Sequence, residues 1–166
     1  TYLSKYIQSM PSPYYSYRFI FIPETIGSIA YISKNLDEMK KNIISTDKAP
    51  QAIGPYSQAV QFNNLLFISG QIPLEPKSGE IVKGNIKELT KQILDNLNAI
   101  LTASGSSLDN VLRTTIFLTN LNDYAEVNEI YSEFFEKSMP ARSTVQVSRL
   151  PMDVPIEIDA IACVNT

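Results

Sequence analysis

The apolar residues from about Lys40 onward change their spacing several times, and this limits the possible folds more than any other feature of the chain. One stretch repeats them every three or four residues, which predicts a helix with one buried face. Its apolar positions are Ile86, Leu89, Ile93, Leu97 and Ile100. Gly105 follows and can end this helix, because glycine adopts the left-handed conformation of a helix end without strain.

A second helix is predicted further along the chain. Asn122 or Asp123 can cap its first turn, and the helix should end before Pro140. Its apolar positions are Val127, Ile130, Tyr131 and Phe134.

Other stretches alternate in steps of two, which is typical of strands. Between the two helices this pattern places four residues on one side of a strand: Leu112, Thr114, Ile116 and Leu118. Further strands are predicted at residues 43–44, 59–62, 65–69, 140–147 and 156–161. Asn63 and Asn64 separate two of these strands and tolerate the positive φ of a tight hairpin turn.

We write the order of these elements as ββαβαββ. It predicts the α+β class, with a mixed sheet and both helices packed on one face. The other face of the sheet then has no layer of its own, and self-association would cover it.

Two charged residues lie inside the last two predicted strands. Arg142 stands among Ala141, Ser143 and Thr144, and Glu157 stands between isoleucines. A charge in such surroundings is costly to desolvate, so it needs a partner, a site or a subunit interface. Arg142 and Glu157 are therefore the first candidates for a functional site, and a structural ion pair is the alternative for both.

The composition excludes several kinds of chemistry. The chain has 166 residues, no histidine and a net charge of -3, with 14 basic against 17 acidic residues. Without histidine there is no Ser-His-Asp or Cys-His system and no zinc site that uses histidine. The acidic balance and the lack of a dense basic run make nucleic acid an unfavourable partner. Cys163 lies between apolar neighbours, which favours a buried structural thiol, and no apolar run has the length of a membrane span.

The first part of the chain differs in composition from the rest. From Thr1 to Pro23 it has no acidic residue, whereas serine and tyrosine are frequent. This favours an organelle-targeting leader, and an ordered appendage is the alternative. We assign residues 1–39 to an N-terminal extension and residues 40–166 to one domain, and both the cytoplasm and an organelle (mitochondrion or plastid) fit.

Four short motifs stand in a characteristic order: AIGPYSQA at 52–59, ISGQIP at 68–73, PARS at 140–143 and IEIDA at 156–160. With these motifs the chain resembles the Rid family of reactive intermediate deaminases, also called YjgF or L-PSP proteins, and most closely its RidA subgroup. The resemblance runs from about Ile44 to Val164 and leaves the extension out.

The resemblance implies a chorismate-mutase-like fold that assembles as a homotrimer with clefts between subunits. It also implies hydrolysis of small 2-imino and 2-enamino acids, such as 2-aminoacrylate, to a 2-keto acid and ammonia, without a cofactor or a metal. The family's site residues correspond to Arg142, Glu157, Tyr56, Ser69 and Gly70. Many relatives have cysteine at the position of Thr144, so properties that depend on that thiol are not expected here.

The chemistry of these side chains suits such a reaction. The planar guanidinium of Arg142 can hold a carboxylate through two parallel hydrogen bonds, and Thr144 shares its face of the strand. Glu157 can position or deprotonate the attacking water, and the phenol of Tyr56 can close over a small substrate. Backbone at Ser69 and Gly70 can approach a ligand closely.

Each of these residues also has a structural interpretation. Arg142 and Glu157 could pair with each other, Tyr56 could pack at a rim, and Ser69 with Gly70 could form a simple turn. Asn96 on the first helix is a weaker candidate for substrate binding, for which a capping or solvated position is the alternative.

Two other functions compete with deamination. An endoribonuclease of the L-PSP type is one, and the acidic charge and missing histidine oppose it. A trimer that binds small molecules without catalysis, as a sensor or a chaperone-like protein, is the other, and it would use the same Arg142.

Overall fold

The computed structural model of the protein describes residues 41–164, which form one six-stranded sheet with two α-helices. The strands are β1 Lys41–Ile44, β2 Ala59–Phe62, β3 Leu65–Gln71, β4 Val111–Leu118, β5 Ala141–Gln146 and β6 Ile156–Cys163. Their order across the sheet is β1-β2-β3-β6-β4-β5. Only β4 and β5 run parallel among these neighbours, so the predicted mixed sheet is confirmed.

Three strands precede the first helix, so the order is βββαβαββ rather than ββαβαββ. The strand missing from the predicted order is the one predicted at residues 43–44; it is β1, which pairs antiparallel with β2 over its whole length. The hairpin between β2 and β3 turns at Asn63 and Asn64 as predicted, and Asn63 has a φ of +55°.

Helix α1 spans Ile86–Ala103, and its two ends are specified locally. Asn85 and Glu88 form a capping box at its start, because each side chain accepts a hydrogen bond from the backbone N–H of the other. At its end Gly105 has a φ of +77°, and the N–H groups of Gly105 and Ser106 donate to the carbonyls of Thr102 and Leu101. This is the glycine termination that the sequence predicts.

Helix α2 spans Tyr124–Phe135, and its start differs from the prediction. Asp123 occupies the cap position without a side-chain hydrogen bond, and Asn122 does not cap the helix at all. Instead, Asn120 accepts from the backbone of Asn122 at the start of a short 3-10 turn that leads into α2. The side-chain cap predicted at Asn122 or Asp123 is therefore made by Asn120, and it caps the 3-10 turn rather than α2 itself.

Both helices lie on one face of the sheet and enclose the core, as predicted. Helix α1 contacts β3, β6 and α2. The core is closed by these fully buried apolar side chains: Leu66, Ile93, Leu97, Ile116, Ile156 and Ile158. None of the helices in the described part of the chain is long and apolar enough to cross a membrane.

Strand β4 departs from simple alternation near its start. Thr114, Ile116 and Leu118 are buried as predicted, but Leu112 is 47% exposed. The pairing of β4 with β6 shifts its register between Val111 and Arg113, which places Val111 rather than Leu112 in the core. A bulge of this kind changes the side that a residue faces, and alternation alone does not reveal it.

The opposite face of the sheet carries apolar side chains with no helix over them. They come from all six strands and form two cross-strand rows, one with Ile43, Val60, Phe67 and Ile161 and the other with Phe117 and Val145. We call these six residues the open face. Cys163 also points to this side and is partly exposed, not fully buried as predicted, and its structural role stays a prediction.

Candidate active site

Arg142 lies on β5 at the edge of the sheet and points toward helix α2. Its Nη1 donates to Oδ1 of Asn128 at 2.9 Å, and its Nη2 donates to the hydroxyl of Tyr124 at 2.9 Å. The guanidinium also lies 4.7 Å from the ring centroid of Tyr131. Three side chains of α2 therefore hold this guanidinium in place.

The partners of Arg142 are all neutral. Among residues 41–164, the ion pairs are Lys87–Glu129, Lys91–Asp95 and Arg149–Asp153, and Arg142 is in none of them. A half-buried guanidinium that is oriented by neutral oxygens keeps its charge for an anion, and a carboxylate is the anion that its planar shape fits best.

The core below Arg142 fixes the ring of Tyr131. The Tyr131 hydroxyl and Thr114 Oγ1 share a buried hydrogen bond of 2.7 Å. Burial raises the pKa of Tyr131, although the Thr114 hydrogen bond and the Arg142 charge oppose this. The phenol is therefore neutral near pH 7, and its ring supports the guanidinium as a neutral aromatic surface.

Glu157 lies on the other face of the sheet. It pairs across the sheet with Phe117, whereas Arg142 pairs with Thr114, three residues away on the same strand. Residues three apart on a strand point to opposite sides, so one chain cannot bring Arg142 and Glu157 together. The alternative that these two residues form an ion pair within the chain is therefore wrong.

Burial, together with the neighbouring Asp159 carboxylate, raises the pKa of Glu157 above its ordinary value of 4.5. No hydrogen bond or ion pair to its carboxylate is formed within the described residues. A half-buried carboxylate with a raised pKa is suited to accept and return a proton.

Gly70 lies directly against Glu157. A Cβ at this glycine would come within 2.7 Å of Glu157 Cδ and would overlap its carboxylate oxygen. The pairing of β3 with β6 is irregular between Ile68 and Gln71, which brings the backbone at Gly70 close to the carboxylate. The absence of a side chain at this position thus makes room for the present orientation of Glu157.

Tyr56 and Gly70 line one small cavity of about 20 Å³ at the end of β3. This volume suffices for about one water molecule. Tyr56 is half exposed and only loosely held, since the backbone N–H of Ile53 reaches its hydroxyl at 3.4 Å. Ser69 lies nearby, but its hydroxyl donates to the carbonyl of Ser57 at 2.7 Å. Its side chain fixes the loop before β2.

The remaining two predicted substrate-binding residues are turned inward. Thr144 lies beside Arg142, and its hydroxyl is buried without a hydrogen-bond partner. Asn96 is 1% exposed, donates to the carbonyl of Leu74 and accepts from Gln92. The structure thus places Asn96 in the packing of α1 against the loop that carries Leu74, and its substrate-binding role stays a prediction.

The partners of Arg142 were not predicted as site residues. Tyr124, Asn128 and Tyr131 are spaced four and three residues apart, so they share one side of α2. This spacing was available in the sequence. The apolar spacing predicts only Tyr131 on this side, because the polar groups of Tyr124 and Asn128 are not part of an apolar pattern.

Comparison with known proteins identifies the family. Residues 46–164 match the family described as Endoribonuclease L-PSP, and residues 1–47 match a domain of unknown function. The mouse protein named 2-iminobutanoate/2-iminopropanoate deaminase is 51% identical over 122 residues, which are 74% of this chain and 90% of the mouse protein.

A plant relative and a solved structure agree with this match. The chloroplastic Reactive Intermediate Deaminase A of Arabidopsis thaliana is 47% identical over 133 residues, which are 80% of this chain and 71% of that protein. The crystal structure of E. coli TdcF with bound serine is 45% identical, with a TM-score of 0.71 over 75% of this chain and 99% of TdcF. The chain therefore belongs to the L-PSP family, which is also known as the YjgF or Rid family.

Proposed function

We propose that the protein is an imine deaminase, which hydrolyses small 2-imino and 2-enamino acids to 2-keto acids and ammonia. The observation that carries this proposal is the guanidinium of Arg142, which two neutral oxygens orient and no acidic side chain neutralises within residues 41–164. The names of the mouse and plant relatives and the serine bound to TdcF support the same class of small, carboxylate-bearing ligands.

In the proposed mechanism Arg142 grips the carboxylate of the imino acid and fixes the position of the imine carbon. Glu157 orients a water molecule and takes a proton from it as the water oxygen bonds to that carbon. Glu157 returns this proton to the nitrogen, the C–N bond breaks as the carbonyl forms, and the remaining hydroxyl proton passes through Glu157 to the released ammonia, which leaves with the 2-keto acid. A positioned water and a carboxylate suffice, because a protonated imine already reacts readily with water. No cofactor takes part in this scheme.

We propose further that the site forms between subunits of a homotrimer with a chorismate-mutase-like fold. Arg142 and Glu157 lie on opposite faces of one sheet, so a shared site needs the Arg142 of one subunit beside the Glu157 of another. The open face supports this assembly, because Phe67 and Val145 are 44% and 43% exposed. Apolar patches that extend over several strands are typical of protein interfaces.

A coupled assay tests the deaminase proposal. Serine or threonine dehydratase generates the imine, and the rate of 2-keto acid appearance is followed with and without the purified protein. We expect acceleration by the wild type, and for Arg142→Ala a loss of about 100-fold or more in kcat/KM, because the charged partner of the carboxylate is gone.

Arg149→Ala is the matched control for this assay. It also removes an arginine, but one that is exposed and paired with Asp153, so the activity should stay near that of the wild type. Equal rates with and without wild-type protein would overturn the deaminase proposal. Binding of a 2-keto acid without any acceleration would favour the chaperone-like or sensor function.

The family description also names an endoribonuclease, so RNA cleavage is the second candidate function. Cleavage of RNA that persists through purification and disappears in Arg142→Ala would support it. Cleavage that survives this substitution would indicate a contaminating nuclease.

We retain residues 1–39 as an extension and residues 40–166 as the catalytic domain. The leader-like composition of the extension supports an organellar location, and the cytoplasm is the alternative. Imaging of the tagged full-length chain distinguishes the two.

A further inference from the structure

Tyr124 is the first residue of α2 and holds one end of the Arg142 guanidinium. Its hydroxyl accepts from Nη2 at 2.9 Å, while Asn128, one turn further on, accepts from Nη1 at 2.9 Å. Each terminal nitrogen thus has its own anchor. Without the Tyr124 hydroxyl, the guanidinium could pivot about its bond to Asn128.

The same contacts determine which hydrogens remain for a ligand. A guanidinium carries five N–H groups, and two of them are used by Tyr124 and Asn128, which leaves three. The ring of Tyr131 lies 4.7 Å from the guanidinium and supports it. A group that is tethered at both terminal nitrogens presents its free N–H groups in a fixed direction, which reduces the entropy lost when a carboxylate binds.

The hydroxyl of Tyr124 has a donor that the chain leaves unused. Its oxygen accepts from a cation, so its own hydrogen must point elsewhere, and no acceptor for it lies within residues 41–164. The side chain is 41% exposed, so a ligand that approaches Arg142 can reach this hydrogen. A phenol that accepts from a guanidinium is also polarised toward donation.

We propose that Tyr124 is a further substrate-recognition residue: its hydroxyl positions Arg142 and donates a hydrogen bond to the carboxylate that Arg142 binds. This inference rests on the proposed function for the identity of the ligand. It assigns the anion site to helix α2 as well as to strand β5.

Tyr124→Phe tests the inference, because it removes the hydroxyl and keeps the ring. In the coupled assay we expect KM to rise about tenfold and kcat to change less than about twofold, since the lost interactions serve binding rather than bond breaking. A KM equal to that of the wild type, or a fall in kcat alone, would overturn the proposal.

Tyr131→Phe provides the matched comparison. It removes a hydroxyl from the same helix beside the same arginine, but that hydroxyl bonds Thr114 in the core. We expect it to lower Tm, because Thr114 loses its buried partner, and to raise KM less than Tyr124→Phe does. A larger rise in KM for Tyr131→Phe would show that Tyr124 has no special place in recognition.

Calorimetric titration with pyruvate separates this inference from the proposed function, since it requires no turnover. We expect the wild type to bind pyruvate and Tyr124→Phe to bind it about tenfold more weakly. If the wild type binds pyruvate but does not accelerate imine hydrolysis, the deaminase proposal fails, and a weaker affinity of Tyr124→Phe still supports the recognition site. Equal affinities of the two proteins would overturn the recognition site alone.

Discussion

Arg142 and Glu157 are both charged, and their surroundings give them opposite properties. Arg142 is surrounded by oriented neutral acceptors that leave its charge available. Glu157 is half-buried next to Asp159, and its carboxylate is destabilised in the charged form. These surroundings support the roles that we propose, anion binding for Arg142 and proton exchange for Glu157.

The raised pKa of Glu157 has a defined effect on stability. Between its ordinary value of 4.5 and the raised pKa, the folded state binds more protons than the unfolded state, so stability falls as the pH rises through this range. Glu157→Gln removes this decrease in stability, because the glutamine side chain does not ionise. We expect the variant to have a higher Tm than the wild type at pH 7 and no advantage at pH 4, as measured by thermal unfolding in matched buffers.

Asp109→Asn is the control, since Asp109 is also acidic and its carboxylate makes no hydrogen bond within the described residues. It should not reproduce the pH-dependent gain. A Glu157→Gln variant that is less stable than the wild type at pH 7 would show that the ionised carboxylate has a favourable partner in the assembled protein.

At the scale of single elements, α1 has the clearest local specification. Asn85 Oδ1 accepts from the backbone N–H groups of Lys87 and Glu88, and Glu88 accepts in return from Asn85. These contacts involve neighbours in sequence, which is why the helix can be predicted without knowledge of the sheet. Helix α2 lacks such a cap, and its start depends on the 3-10 turn before it.

Asn85→Ala should therefore lower the free energy of unfolding by about 1 kcal/mol, because two backbone donors lose their acceptor. Denaturant titration followed by circular dichroism, at a fixed protein concentration, measures the difference. Asn98→Ala is the matched control on the exposed side of the same helix, where alanine should be neutral or slightly stabilising. Equal losses for both variants would contradict a capping role of Asn85.

At the scale of the whole molecule, two features lead us to expect that copies of the chain associate. One is the open face, and the other is the position of Arg142 and Glu157 on opposite faces of the sheet. The helices cover one face of the sheet, and the apolar residues of the other face lie next to Glu157. A second subunit on this face would bury those residues and could supply an arginine at the same time.

Phe67→Lys tests this assembly. A lysine in the middle of the open face should prevent association and abolish deaminase activity, because each site would lose one of its two parts. Sedimentation velocity should give three times the chain mass of 18.6 kDa for the wild type and a smaller species for the variant. Ile81→Lys, at an exposed loop residue of similar exposure, should keep the trimer. A trimeric and active Phe67→Lys variant would contradict the proposed interface.

The sequence by itself determined what depends on near neighbours. The helix α1 with its end at Gly105, the turn at Asn63 and the alternating strands follow from local spacing and backbone preference. The bulge near Leu112 and the 3-10 turn before α2 could not be predicted in this way. They depend on the register of β4 against β6 and on how the chain enters the helix layer.

Only the tertiary structure decided where the site residues point. Alternation places Arg142 and Thr144 on one side of β5, but it does not tell which side the helices cover or that Glu157 faces the other. The partners Tyr124 and Asn128 belong to a helix that ends before β5 begins, and packing of that helix on the sheet brings them to Arg142. Contacts between residues distant in sequence arise from the packing of layers, which spacing along the chain does not encode.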